Sequence, residues 1–335
     1  MKKFWGSIGG IAVFIAVFYV LGPKPKLGSL TGDLPVVPSN LVELNAMIQK
    51  EEASVPNLKP NNEALIMWGD SAFSKTKYAV LYLPGFSGSW YEAEPLHRDF
   101  AKKFGCNLFM ARLYGHGVAD AEPMRDLTVE KYLESARKAL AIASQLGDSV
   151  IIMSTSTGGS LSLILAAEHP EIVSSLILFS PNIRMYDARA GLLAGPWGLQ
   201  IARWVKDGDY HVWETDEWMS QYWTVKYRLE ALVQLQGLLE KTMNKGTYKK
   251  VSQPLFMAYY YKNEQEQDTT VSVKKMRHMF RDVSTPNNKK VDMPLPEAQA
   301  HVIACKRRSN QFTELENATF DFAENVLHLK SFGQN

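Results

Sequence analysis

The chain has 335 residues, 46% hydrophobic and 21% charged, a globular composition with ample apolar material for a sizeable core. Its 37 basic and 35 acidic residues leave a formal net charge of +2. So even a balance lacks the clustered Lys/Arg excess that a nucleic acid partner requires. Cys106 and Cys305 are the only cysteines, too few for a disulfide framework, and no His-x-x-x-His or paired-Cys spacing points to a metal or another cofactor.

Lys2 and Lys3 precede an uncharged apolar stretch, Phe4 to Gly22. Its nineteen residues would span about 28 Å as a helix, close to the thickness of a bilayer's hydrocarbon core. Residues 1–26 therefore read as a membrane anchor. A cleaved secretion signal is the alternative, and Pro23 after Gly22 disfavours cleavage there. Either reading puts the catalytic body outside the cytoplasm, on the periplasmic or extracellular side, anchored or secreted. Residues 27–62 are broken by Pro35, Pro38, Pro56 and Pro60 and read as a tether, with one short helix from Asn40 to Lys50. No linker, repeat or low-complexity tract divides the rest, so residues 63–335 are expected to form one domain.

Within that domain, short apolar runs alternate with helical patterns. Ala64–Trp68, Tyr78–Leu83, Asn107–Leu113, Ser149–Met153, Val173–Phe179 and Pro254–Tyr260 read as strands. Thr128 caps a helix to Leu146, with Leu133, Ala136, Leu140 and Ala143 on one stripe, and a second helix runs from Thr157 to His169. This alternation predicts an α/β fold, a mostly parallel sheet with helices on both faces. Ligands of such sheets bind at the carboxyl ends of the strands.

The informative residues fall at those ends. In Val150-Ile151-Ile152-Met153-Ser154-Thr155-Ser156-Thr157-Gly158-Gly159 a buried strand turns at a serine and enters a helix. That is the Gly-x-Ser-x-Gly nucleophile elbow with Ser154 in the first glycine's place. A Ser/Thr-rich turn that merely caps a helix would look similar. Pro84-Gly85-Phe86-Ser87-Gly88, however, ends an earlier strand, where the first oxyanion donor belongs. Phe86 N–H and Thr157 N–H are the candidate pair. The order Ser, acid, His requires a late histidine. His301 lies in a loop of small residues, whereas His328 reads as a packed helix residue, His278 as a helix-surface one, and His116 as part of a Tyr-Gly-His-Gly turn. The acid must follow the strand ending at Tyr260. Asp268, three residues before Val271, is preferred to Glu264, although either could be a solvated loop acid.

From about Ala64 to Leu329 the chain resembles the α/β-hydrolase superfamily, and most of all the branch of monoacylglycerol lipases, bacterial carboxylesterases and serine aminopeptidases. The resemblance rests on Leu83–Gly88, Arg112-Leu113-Tyr114-Gly115-His116-Gly117, Ser154–Gly159, Asp268 and His301. Two features depart from the pattern: Pro84-Gly85 replaces the usual His-Gly, and the acid loop is longer. The resemblance implies a helical cap at about residues 183–253, where Trp197, Trp204, Trp213, Trp218 and Trp223 concentrate. An aromatic-rich cap suits apolar acyl groups; the alternative is that these rings simply pack the cap onto the body. The usual strand order would also put Cys106 and Cys305 on opposite sides of the sheet's centre, too far apart to pair. The expected activity is hydrolysis of carboxylic esters, of small-molecule or lipid type, through an acyl-enzyme on Ser156. Peptidase, amidase or acyltransferase chemistry would use the same residues, and an inactive membrane-tethered binding protein is the reading from a different class.

Overall fold

The computed structural model describes residues 17–69 and 71–333. Its strands in chain order are β1 (Leu65–Met67), β2 (Thr76–Leu83), β3 (Asn107–Met110), β4 (Gly147–Thr155), β5 (Val173–Phe179), β6 (Tyr210–Val212), β7 (Lys226–Arg228), β8 (Leu255–Tyr260) and β9 (Lys290–Leu295). Seven form one sheet in the order β1-β3-β2-β4-β5-β8-β9. Only β1 runs antiparallel to its neighbour. β6 and β7 make a separate antiparallel ribbon.

The central strands are apolar throughout because both faces of the sheet are covered. Alternate residues feed two cores. Leu81, Leu83, Val150, Ile152, Leu176 and Leu178 point to one side. There they meet α3 (Val129–Leu146) and α4 (Thr157–Glu168). Val80, Tyr82, Ile151, Met153, Ile177 and Phe179 point to the other. That face is covered by α2 (Leu96–Phe104) and by α10 (Phe312–Asn325). Thr128 Oγ1 caps α3 by accepting Lys131 N–H at 3.2 Å, and Leu133, Ala136, Leu140 and Ala143 are the buried stripe, as the sequence predicts. Between β5 and β8 lies an insertion, at the place where the cap is expected. It is built of α5 (Gly198–Lys206), the β6–β7 ribbon, α6 (Glu217–Tyr222), α7 (Leu229–Thr242) and the short α8 (Lys245–Tyr248). After β8 comes α9 (Val273–Asp282).

Several expectations need correction. β9 carries Pro294, Asp292 and Lys290 and does not read as a strand; it pairs on one side only, at the sheet edge, where a proline is tolerated. His328 lies beyond the end of α10, exposed and at positive φ, rather than packed within a helix. The tether does not hang free. α1 (Leu41–Ala53), capped by Asn40, is longer than the Asn40–Lys50 expectation, and before it Leu27, Leu30, Leu34 and Val37 pack against the core. Leu30 O accepts a hydrogen bond from Arg137 at 2.8 Å. The cysteines are free and buried, and as expected they flank strands on opposite sides of the central β4, Cys106 just before β3 and Cys305 after β9. Both belong to the same core: Cys305 bridges to Pro95 just before α2, and Cys106 follows α2. The helix α2 stands between them.

Most of Phe4–Gly22 lies outside the described residues. From Val17 onward, Phe18 stacks on Trp197 with ring centroids 4.8 Å apart, and the Trp197 indole donates to Phe18 O at 3.1 Å. No helix among the described residues is long and apolar enough to cross a membrane.

Candidate active site

Ser156 stands between β4 and α4 with φ 53° and ψ −118°, a conformation that a non-glycine residue adopts only when its surroundings hold it there. They do. Ser156 N–H donates to Phe179 O at 2.9 Å, while its carbonyl accepts Gly159 N–H at 2.9 Å and Asn182 N–H at 2.8 Å. The turn is so tight that a Cβ on Gly158 would stand 2.2 Å from Leu83 O and 2.8 Å from Pro84 O. Ser154 fits the first glycine's place because its hydroxyl turns inward to share a 2.9 Å hydrogen bond with Ser162. The elbow presses directly on the loop after β2: a Cβ on Gly85 would lie 3.0 Å from Ser156 Cβ.

Asp268 follows β8 and His301 follows β9, so both sit beyond the carboxyl edge of the same sheet. His301 Nδ1 lies 2.6 Å from Asp268 Oδ2. The other carboxylate oxygen accepts Thr270 N–H at 2.8 Å and Val271 N–H at 3.1 Å, which locks the side chain and explains the Asp-x-x-Val spacing. Burial works against a charged His301, but the Asp268 carboxylate and its hydrogen bond outweigh that, with Glu92 adding to them, and the imidazole pKa is raised above 6.5. Nε2 is buried and has no hydrogen-bond partner among the described residues. The acid–histidine link is thus formed while the histidine–serine link is open. Catalytic hydrogen bonds often close only around substrate. Glu264 is exposed and bonds Tyr261 at 3.1 Å instead.

Neither Phe86 N–H nor Thr157 N–H donates to a backbone or side-chain group among the described residues, which leaves both free for a ligand oxygen. The Phe86 ring is wedged edge-on among His116, Tyr132 and Tyr227. His116, read from the sequence as a turn residue, supports the loop: its Nδ1 donates to Gly88 O at 2.9 Å and its Nε2 accepts Ser87 N–H at 3.3 Å. Burial drives its pKa down to about 3, so it keeps this neutral tautomer. Glu92 was not singled out by the sequence either. It lies in a 3-10 turn, Trp90–Ala93, almost wholly buried, with one oxygen 2.5 Å from Gly85 N and the other 3.0 Å from Trp223 Nε1. An acid directly after Trp90-Tyr91, a few residues past a Pro-Gly turn, is the only local sign of it. Of the five cap tryptophans, Trp223 is buried, Trp213 packs on the core, Trp218 packs on Tyr91 and Tyr222, and Trp197 carries Phe18. Trp204 is 84% exposed. Among the described residues no cluster of His, Cys, Asp or Glu is disposed to hold a metal ion.

The chain is 32% identical over 93 residues to a thermostable monoacylglycerol lipase of Bacillus sp. strain H-257, a match covering 28% of this chain and 36% of that one. It is 23% identical over 190 residues to the α/β hydrolase domain-containing protein WAV2 of Arabidopsis thaliana, covering 56% and 58% of the two chains. The matches therefore span less than two thirds of these relatives. Among solved structures it resembles one reported with the metagenome-derived lipolytic enzymes LipS and LipT (TM-score 0.62, 18% identity, 80% of this chain and 99% of that). A soluble variant of monoglyceride lipase from Saccharomyces cerevisiae is also similar (TM-score 0.54, 14% identity, 79% and 91%). At these identities the structures speak for the fold. The family model for the α/β hydrolase fold matches residues 78–282, more than half of the chain, and the protein belongs to that family.

Proposed function

We propose that the protein is a serine hydrolase that cleaves carboxylic esters through an acyl-enzyme on Ser156, with His301 as general base and Asp268 as its orienting acid. The observation that carries the reading is the 2.6 Å His301–Asp268 contact, which leaves the opposite imidazole nitrogen unpartnered at the sheet edge that bears the serine elbow. In this scheme Ser156 Oγ attacks the ester carbonyl carbon as its proton passes to His301 Nε2. The carbonyl oxygen becomes an oxyanion held by Phe86 and Thr157 N–H, and Asp268 stabilises the imidazolium. Collapse breaks the ester bond, and the departing alkoxide takes the proton from His301. Water then gives a proton to the same nitrogen, attacks the acyl-enzyme, and returns the free acid and Ser156. Relatives named as monoacylglycerol lipases support a lipid-like acyl substrate.

Membrane attachment through residues 1–26, with the catalytic body outside the cytoplasm, belongs to the same proposal. Its support is the uncharged Phe4–Gly22 sequence. The test of the chemistry compares p-nitrophenyl esters of rising chain length with aminoacyl anilides, using wild type and Ser156→Ala. Ester turnover that vanishes in Ser156→Ala is expected. Anilide cleavage exceeding ester cleavage would transfer the protein to the peptidases.

A further inference from the structure

Glu92 has no part in the scheme above, yet it is buried at its centre. Its Oε1 and the Ser156 Cβ stand 2.9 and 3.0 Å from the point where a Gly85 side chain would begin. Only a glycine lets a carboxylate and the elbow meet across one residue. The two oxygens are spent in different directions. One accepts Gly85 N–H at 2.5 Å, in the loop that carries Phe86 N–H, and the other accepts the Trp223 indole N–H at 3.0 Å, from the cap. The residue after Trp223 closes the circuit, since Thr224 N–H donates to Ser87 O at 2.8 Å. Cap and oxyanion loop are thereby joined at two points, one residue apart in the cap and two apart in the loop. Taking a carboxylate out of water is costly, and at Glu92 these two N–H donors are what offset the cost.

We infer that Glu92 is a positioning residue of the proposed hydrolase: its carboxylate links Gly85 to Trp223, so that the seating of the cap fixes the oxyanion loop against Ser156. This rests on the ester-hydrolase reading for its kinetic consequence but not for the link itself. The carboxylate form is the one the link needs, since both partners are N–H donors and a protonated oxygen would meet one of them with its own hydrogen.

The surroundings bear on when that form exists. Burial raises the Glu92 pKa to about 7, opposed by the Gly85 and Trp223 hydrogen bonds and by His301. The other titratable groups facing it are Tyr82 from β2, Tyr132 from α3, and Cys305. Burial pushes all three upward, Cys305 to about 11, so they stay neutral around pH 7. His301 is the neighbour whose charge is coupled to it, and each of the pair favours the other's charged form. The link is therefore made as pH rises through neutrality and released below it.

The experiment has two arms on the full chain. In the first, indole N–H resonances of protein labelled with nitrogen-15 tryptophan are followed from pH 5 to 9, with Trp223 assigned by its loss in Trp223→Phe. The Trp223 signal should titrate near neutrality in wild type and stay flat in Glu92→Gln; a flat wild-type signal, or an unchanged titration in Glu92→Gln, overturns the link. In the second, ester turnover is measured for wild type, Ser156→Ala, Glu92→Gln, Trp223→Phe and the double variant Glu92→Gln/Trp223→Phe, each checked for a cooperative melt. A displaced oxyanion loop should lower kcat on the order of tenfold to hundredfold in Glu92→Gln with KM little changed. The double variant should be no worse than Glu92→Gln, because the two act through one link. If Glu92→Gln does not fold, Trp223→Phe decides: a several-fold loss of kcat at constant KM supports the role, and wild-type kcat overturns it. Ser156-dependent turnover that Glu92→Gln leaves within twofold of wild type overturns the positioning role alone. An absence of Ser156-dependent turnover in wild type overturns the ester reading and the role with it, while the indole titration still reads the link.

Discussion

Replacing Asp268 by asparagine keeps the shape of the side chain and removes its charge, and the site dictates how the new amide must sit. Thr270 and Val271 N–H point at Oδ1 from 2.8 and 3.1 Å. Two donors there hold the asparagine carbonyl in that place, so the NH2 group occupies the Oδ2 position, 2.6 Å from His301 Nδ1. An NH2 donates and does not accept. His301 must then offer a bare Nδ1 and carry its proton on Nε2, the tautomer that cannot take a proton from Ser156. A loss of kcat on the order of ten-thousand-fold follows, about 5 kcal/mol of barrier. The assay is turnover of a short-chain p-nitrophenyl ester at pH 8, with a thermal melt to establish that the variant folds. Glu264→Gln serves as the control and should stay within about twofold, since that carboxylate is exposed. A loss smaller than about tenfold in Asp268→Asn, or a larger one in Glu264→Gln, would show that Asp268 does not set the tautomer of His301.

The pH profile of kcat/KM should rise through an ionisation above 6.5, because the base works as neutral imidazole and Asp268 holds its pKa up against burial; a half-point below 6 would contradict this. Gly158→Ala puts a methyl 2.2 Å from Leu83 O and should cost on the order of 1–3 kcal/mol in chemical denaturation, together with activity. Deleting residues 1–26 should release the protein from lipid vesicles with activity intact, whereas deletion through residue 40 also removes Leu27, Leu30, Leu34 and Val37 from the core and should lower the melting temperature by several degrees. Equal melting of the two truncations would show that the tether contributes nothing.

What the sequence makes legible is what short-range chemistry determines. The elbow is readable because strand, turn and helix are contiguous from Val150 to Gly159 and the turn tolerates only small neighbours. Asp268 is readable because two of its partners, Thr270 and Val271, lie within three residues. Glu92 is not, since Trp223 is distant in the chain and nothing local marks the pairing. β9 escapes notice because edge strands admit Pro294 and charged residues that a central strand would exclude. The unpaired state of Cys106 and Cys305 is legible because β3 and β9, which they flank, fall on opposite sides of β4. The tether's packing depends on α3 and α7, against which Leu27 and Leu30 lie, and prolines in a row do not reveal a docking groove.

The central claim is that Ser156 is the nucleophile, and the most direct measurement is covalent capture. Full-length protein is treated with a fluorophosphonate, digested, and the modified peptide sequenced by mass spectrometry. One adduct is expected, on Ser156, formed rapidly in wild type, slowed by orders of magnitude in His301→Ala, and absent from Ser156→Ala. An adduct on another residue, or a folded wild type that takes up no label, would contradict it.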